Sequence, residues 1–174
     1  MRLFFGLSLP DHICAATAAC ALEAQRIIPG RYALPENHHI TLAFLGEVPQ
    51  ERLGDVCRVL DGCTSFPAPM LTLNGFSHFG RAENGILILR VSSEPALEGL
   101  HEVLVSALRE EGLPADPGPF SPHITLARHA RISGGFPVCP PLSFTAGCAH
   151  VYLSARGADS VLRYTPLHTV PFHI

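Results

Sequence analysis

The chain has no apolar run approaching the roughly 20 residues that span a bilayer, so we expect no membrane anchor. It has no Cys-x-x-Cys pair among its six cysteines (Cys14, Cys20, Cys57, Cys63, Cys139 and Cys148), which argues against a zinc ribbon. It has no excess of positive charge. The net charge of −3 argues against a broad basic surface that grips nucleic acid through many phosphates. It has little charge of either sign, 16% of residues against 47% apolar, which excludes a disordered chain and leaves material for a real core in 174 residues. The N-terminal apolar run stops at Pro10-Asp11 without a convincing cleavage site. We therefore expect a buried first strand, a cytoplasmic location and reduced cysteines in packing roles.

What the chain does have is an echo. His39-Ile40-Thr41-Leu42 recurs letter for letter as His123-Ile124-Thr125-Leu126. As strands, both copies alternate histidine and threonine on one face with apolar residues on the other. Their settings match as well, because each copy follows a helix and a loop.

Taken in order, residues 2–9 read as a strand, and Pro10-Asp11 opens a helix. Its apolar positions Ile13, Ala16, Cys20, Ala24 and Ile27 follow helical spacing until Pro29-Gly30 stops it. Residues 31–37 read as a connection and 38–45 as the first motif strand. A second helix over about 50–60 carries Leu53, Val56, Cys57 and Leu60 on one face. Strands over 70–79 and 86–91 flank a turn at 80–85 and form a hairpin. Ser93 is a candidate N-cap and Pro95 suits the first turn of a third helix. That helix has the clearest stripe: Leu97, Leu100, Val103, Leu104, Ala107 and Leu108, closed by Gly112. A loop over 114–119 leads to the second motif strand, 121–127. Strands over about 142–153 and 161–168 finish the chain. The pattern is α+β, antiparallel hairpins among helices, with a duplicated two-lobed arrangement suggested by the repeat.

A face of His39, Thr41 and Ala43, or of His123, Thr125 and Ala127, is too polar for a dry core. It suits the floor of a cleft. A single strand histidine is more often a surface or satisfied core residue, and most of the ten histidines deserve that reading, His38 included. A matched pair, each two residues before a threonine, points instead to a shared site. Two imidazoles on opposite sides of a phosphorus centre can catalyse an in-line displacement without a metal, one as base and one as acid. Threonine hydroxyls and an arginine can hold the non-bridging oxygens. A metal site would need a further strong ligand, and neither motif strand contains Asp or Glu. Strict alternation puts Arg128 on the face opposite His123.

These motifs and their flanks resemble the 2H phosphoesterases, most closely the RNA 2′,3′-cyclic phosphodiesterases also described as 2′-5′ RNA ligases. The resemblance covers nearly the whole chain. It includes Met1 to Leu7, Pro35 to Leu42 with Phe44-Leu45-Gly46, Pro122 to Arg128, Val151 to Ser154 and Tyr164 to Leu167. It implies one bilobal domain over 1–174, a two-lobed pseudo-twofold fold with antiparallel sheets lining a central cleft and helices outside. It implies opening of an RNA terminal 2′,3′-cyclic phosphate to a 2′-phosphomonoester. His39 would be the proton donor and His123 the proton acceptor, with Thr41, Thr125 and Arg128 on the phosphate. For Arg128 the resemblance opposes the alternation, and a bulge or the strand's end would reconcile them. Ser121 and His38 depart from the family's usual basic and apolar residues. The implied partners are RNA 3′ ends or nucleotides carrying a 2′,3′-cyclic phosphate; no cofactor or metal is expected, and the chain is expected to be a monomer. A 2′-5′ ligase, another cyclic-phosphate enzyme of this kind and a catalytically silent RNA-end binding module are the alternatives.

Overall fold

The computed structural model describes residues 1–92, 94–116 and 118–173. The expected Ser93 cap, and Pro117 of the expected loop, lie outside them. The first strand, β1 (Arg2–Ser8), shows how the sequence splits into faces. Leu3, Phe5 and Leu7 enter the hydrophobic core, while Phe4 is also buried but on the other face. Burial on both faces explains why this strand reads as a nearly continuous apolar run. It lies between β3 (His39–Glu47) and β8 (Cys148–Arg156), antiparallel to both.

The remaining strands are β2 (Arg31–Tyr32), β4 (Met70–Phe79), β5 (Gly85–Val91), β6 (His123–Ala130), β7 (Leu142–Thr145) and β9 (Leu162–Pro171). Among the described residues they form one curled antiparallel sheet in the order β7-β4-β5-β6-β3-β1-β8-β9, with β2 added on β6. The order reads as two four-strand halves with the motif strands meeting in the middle. They meet through Ile40 opposite Ile124, the same position of the repeat. A pseudo-twofold through that pair exchanges β3 with β6 and β1 with β5, so the expected two-lobed fold is present. Its lobes are halves of one sheet rather than two sheets.

The helices cover the core face. In α1 (Asp11–Gln25) the buried residues are Ile13, Thr17, Ala21 and Ala24, followed by Ile28. The expected stripe through Ala16, Cys20 and Ile27 is thus rotated, and Ile27 is 55% exposed. Alanines and cysteines lie all around α1, so apolarity alone does not set its phase. Polar bonding does: the Thr17 hydroxyl reaches both the Cys14 carbonyl and the buried His38 ring. In α3 (Pro95–Glu110) the stripe is Leu97, Leu100, Leu104, Val105 and Leu108, with Val103 turned outward. Gly112 follows at φ +62°, a left-handed conformation that glycine adopts without a Cβ clash. The middle helix begins with a 3₁₀ turn, Gln50–Arg52, before α2 (Leu53–Asp61), which buries Val56, Val59 and Leu60.

Two strand expectations need correction. Residues 142–153 are not one strand. The chain leaves β7 at Thr145, turns through Ala146 and Gly147, and enters β8 in the other half of the sheet. The connection before the first motif contains β2, whose two residues are too few to show a period. No helix among the described residues is long and apolar enough to cross a membrane.

Candidate active site

The two motif strands each carry a bulge at the same place. In β3, Thr41 pairs with Gly6 and Ala43 with Phe5, so Leu42 is the additional residue. In β6, Thr125 pairs with Ile88 and Ala127 with Leu87, so Leu126 is the additional residue. An inserted residue restarts the alternation. Ala43 and Ala127, expected on the cleft face, therefore turn into the core. Phe44 and Arg128 take the cleft side, three residues after each threonine. Arg128 thus lines the same cavity as His39, Thr41 and Thr125, against the alternation and with the resemblance. The carbonyls freed by the bulges are satisfied. That of Leu42 accepts from the His101 ring at 2.6 Å, and that of Leu126 accepts from the Ala33 amide at 2.8 Å.

The histidines repeat the same geometry. Nδ1 of His39 donates to the Asn37 carbonyl at 2.7 Å, and Nδ1 of His123 donates to the Ser121 carbonyl at 2.7 Å. In a neutral ring this fixes the tautomer and leaves Nε2 as the reactive, lone-pair nitrogen. Nε2 of His39 lies 3.0 Å from the Thr41 hydroxyl, which donates to it while the ring is neutral. Asn37 is itself buried and held from both ends. Its amide nitrogen donates to the Leu162 carbonyl at 2.8 Å, and its side-chain oxygen accepts from the Tyr164 amide at 3.1 Å. The residue that orients His39 is thereby tied to β9.

Aromatic rings enclose His39. Phe4 and Tyr164 lie 4.8 and 4.9 Å from its centroid, and Tyr152 lies 6.0 Å away. His123 meets the edge of Phe79 at 4.8 Å. Burial in this collar pushes the His39 pKa down to about 4, with the charges of His123, His38 and Arg128 acting in the same direction and the Asn37 carbonyl opposing them. His123 is also lowered, first by burial and then by Arg128, against the pull of the Ser121 carbonyl. Both rings thus rest neutral near pH 7.

The cavity measures about 600 Å³. Of the expected residues, His39, Thr41, Thr125 and Arg128 line it and His123 does not; the lining also includes Phe4, Tyr164 and three further arginines, Arg2, Arg31 and Arg156. Nothing in the periodicity singles these out. The aromatics look like ordinary strand formers, and the arginines lie on a two-residue strand or at strand ends. Among the described residues, no group of three or more His, Cys, Asp or Glu side chains converges as a metal-ligand set.

Residues 9–133 match the family described as the 2′-5′ RNA ligase superfamily. The chain belongs to that superfamily. The RNA 2′,3′-cyclic phosphodiesterase of Escherichia coli (strain K12) is 34% identical over 173 residues, covering 95% of this chain and 93% of that protein. The protein of the same name from Geobacillus stearothermophilus is 34% identical over 128 residues; the match spans 72% of this chain and 41% of that protein's length. The crystal structure of E. coli LigT complexed with 3′-AMP superposes with a TM-score of 0.81 at 31% identity, covering 99% of this chain and 98% of that one. The fold and family expected from the repeated motif are therefore those of the chain, a 2H phosphoesterase with its two motif strands side by side.

Proposed function

We propose that this 2H phosphoesterase hydrolyses the terminal 2′,3′-cyclic phosphate of RNA to a 2′-phosphomonoester, with no metal ion. The observation that carries this reading is the matched imidazole pair on adjacent bulged strands. Each has Nδ1 held by the carbonyl two residues before it, which leaves the lone pair of Nε2 for proton transfer. The names of the curated relatives support the same reaction.

Water attacks phosphorus and passes a proton to Nε2 of His123. The phosphorus–O3′ bond breaks in line, and His39 delivers its proton to O3′, leaving the phosphate on O2′. Thr41, Thr125 and Arg128 hold the non-bridging oxygens, where negative charge must be stabilised. His39 rests neutral in the free enzyme, and the incoming phosphodiester anion favours its charged form. Both histidines come from one chain, so a single chain suffices to form the catalytic pair. With a 5′-hydroxyl in place of water as the nucleophile, the same steps join two ends through a 2′-5′ phosphodiester; this uses the same residues and is the second reading, in keeping with the family's name.

The test is turnover of a nucleoside 2′,3′-cyclic phosphate and of a cyclic-ended oligoribonucleotide in excess EDTA, with the product phosphate located by NMR. A 2′-phosphate formed at an unchanged rate is expected. Loss of turnover in EDTA overturns the metal-free mechanism. No turnover of either substrate assigns the cleft to binding alone.

A further inference from the structure

The cleft contains more positive charge than the reaction needs. Arg2, Arg31, Arg128 and Arg156 all line it, and no Asp or Glu does so among the described residues. The chain's twelve basic residues are all arginine, and four of the eight outside the cleft follow a different rule. Arg26, Arg52, Arg58 and Arg163 each lie against a carboxylate: Glu23, Asp55, Asp55 and Asp159. None of the four cleft arginines has such an ion pair among the described residues. Glu47, opposite Arg2 in the strand register, lies instead 3.5 Å from the Met1 ammonium.

The arrangement within the cleft is stranger still. Arg31 on β2 is the direct cross-strand partner of Arg128 on β6. Like charges at such positions repel and destabilise the pairing. Arg2 is held over the face of Phe44 at 5.0 Å, and Arg156 is steadied by donating to the Ser160 carbonyl at 2.7 Å. A guanidinium array kept together without counter-charges is a site for several anions. The reacting cyclic phosphodiester brings a single negative charge, which Arg128 and the threonines already meet.

We propose that Arg2, Arg31 and Arg156 bind the internucleotide phosphates upstream of the cyclic end, so that the cleft selects an RNA strand over a cyclic mononucleotide. This rests on the phosphodiesterase reading for the identity of the reacting end. Guanidinium forks suit phosphate oxygens, and their non-specific grip explains how a protein of net charge −3 holds RNA. The charge that the whole surface lacks is concentrated where the strand lies.

The test compares a nucleoside 2′,3′-cyclic phosphate, its 5′-triphosphorylated form and a tetraribonucleotide with the same cyclic end. Measured over 50–200 mM salt, the tetranucleotide is expected to have the higher kcat/KM, on the order of tenfold for each further phosphate held by a guanidinium. Its log kcat/KM should fall more steeply with log salt, by about 0.7 for each such phosphate. Arg31→Gln and Arg156→Gln should each lower the tetranucleotide-to-mononucleotide ratio and flatten the slope. Arg26→Gln, whose arginine pairs with Glu23 outside the cleft, should change neither. Equal ratios and slopes for the first and third substrates overturn the proposal, as does a triphosphorylated mononucleotide that matches the tetranucleotide. Equilibrium binding of the 2′-phosphate-ended tetranucleotide and mononucleotide, by fluorescence anisotropy, gives the same comparison without turnover. Failure of catalysis and failure of strand selection are therefore separable.

Discussion

At the scale of single residues, the proposed chemistry rests on two imidazoles that the fold has made reluctant to charge. His39→Ala and His123→Ala should each lower kcat by roughly 10²–10⁴-fold, the usual contribution of a positioned acid or base. Retention of near-normal kcat in either variant removes that histidine from proton transfer. Both rings have pKa values depressed from 6.5, His39 to about 4, so the productive state with one charged and one neutral ring is favoured on the acid side of 6.5. The optimum of kcat/KM, which reports the free enzyme, is expected there, and its two limbs belong to the pair. The optimum of kcat should lie higher, because the bound anion favours the imidazolium. A kcat/KM optimum above pH 7.5 contradicts this account. Arg128 lowers both histidines by its charge. Arg128→Gln should therefore raise both titrations in an NMR experiment while cutting kcat by roughly 10²–10³-fold, as loss of a transition-state donor does. Unchanged titrations would place Arg128 farther from the rings than the cleft geometry does.

At the scale of elements, β1 is the surface against which β3 sets its reactive residues. Gly6 pairs with Thr41, and a Cβ there would meet the Ile40 carbonyl oxygen at 3.1 Å, the Phe4 ring at 3.2 Å and the His39 ring at 3.4 Å. Gly6→Ala should push β3 and the imidazole by a few tenths of an ångström. A 1 Å misplacement can cost about 10²-fold, so a smaller fall in kcat is expected, with the melting temperature showing whether the strand pair has loosened too. An unchanged kcat would mean that the ring has room to move without loss of function. The repeat made the histidines and threonines legible because strand parity survives as far as each threonine. It fails one residue later, at Leu42 and Leu126, where the bulges turn Ala43 and Ala127 inward and bring Phe44 and Arg128 to the cleft. A bulge depends on what the neighbouring strand and its carbonyl partners offer. Those partners, His101 and Ala33, are distant in sequence. The same holds for Arg31 and for the phase of α1, which long-range bonds decide rather than local pattern.

At the scale of the molecule, two half-sheets joined at Ile40 and Ile124 enclose a concave face that removes several imidazoles from water. His39, His123 and His150 in the sheet, and His38 against Thr17 of α1, all have lowered pKa values, in each case first through burial. This has a sign for stability. The unfolded chain takes up protons on these rings as pH falls through about 6.5, whereas folded His39 does so only near 4. Across that window the folded state binds fewer protons, so stability rises with pH and is lost on acidification. The window is distinct from that of the lowered carboxylates. Asp159, held at about 2 mainly by Arg163, gives up its contribution only as pH falls below the ordinary carboxylate value of 3.8. The melting temperature is expected to be level above pH 7 and to decline between pH 6.5 and 4, before carboxylate protonation begins to matter. His39→Gln should shallow that decline, since the variant has one fewer ring to charge. Inorganic phosphate should shallow it as well, because an anion in the cleft raises the folded-state pKa of His39 and narrows the gap to the unfolded chain. A melting temperature that stays flat from pH 7 to pH 4.5, in wild type and variant alike, would show that the concave face does not hold its histidines neutral. The resting state assigned to the catalytic pair would fall with it.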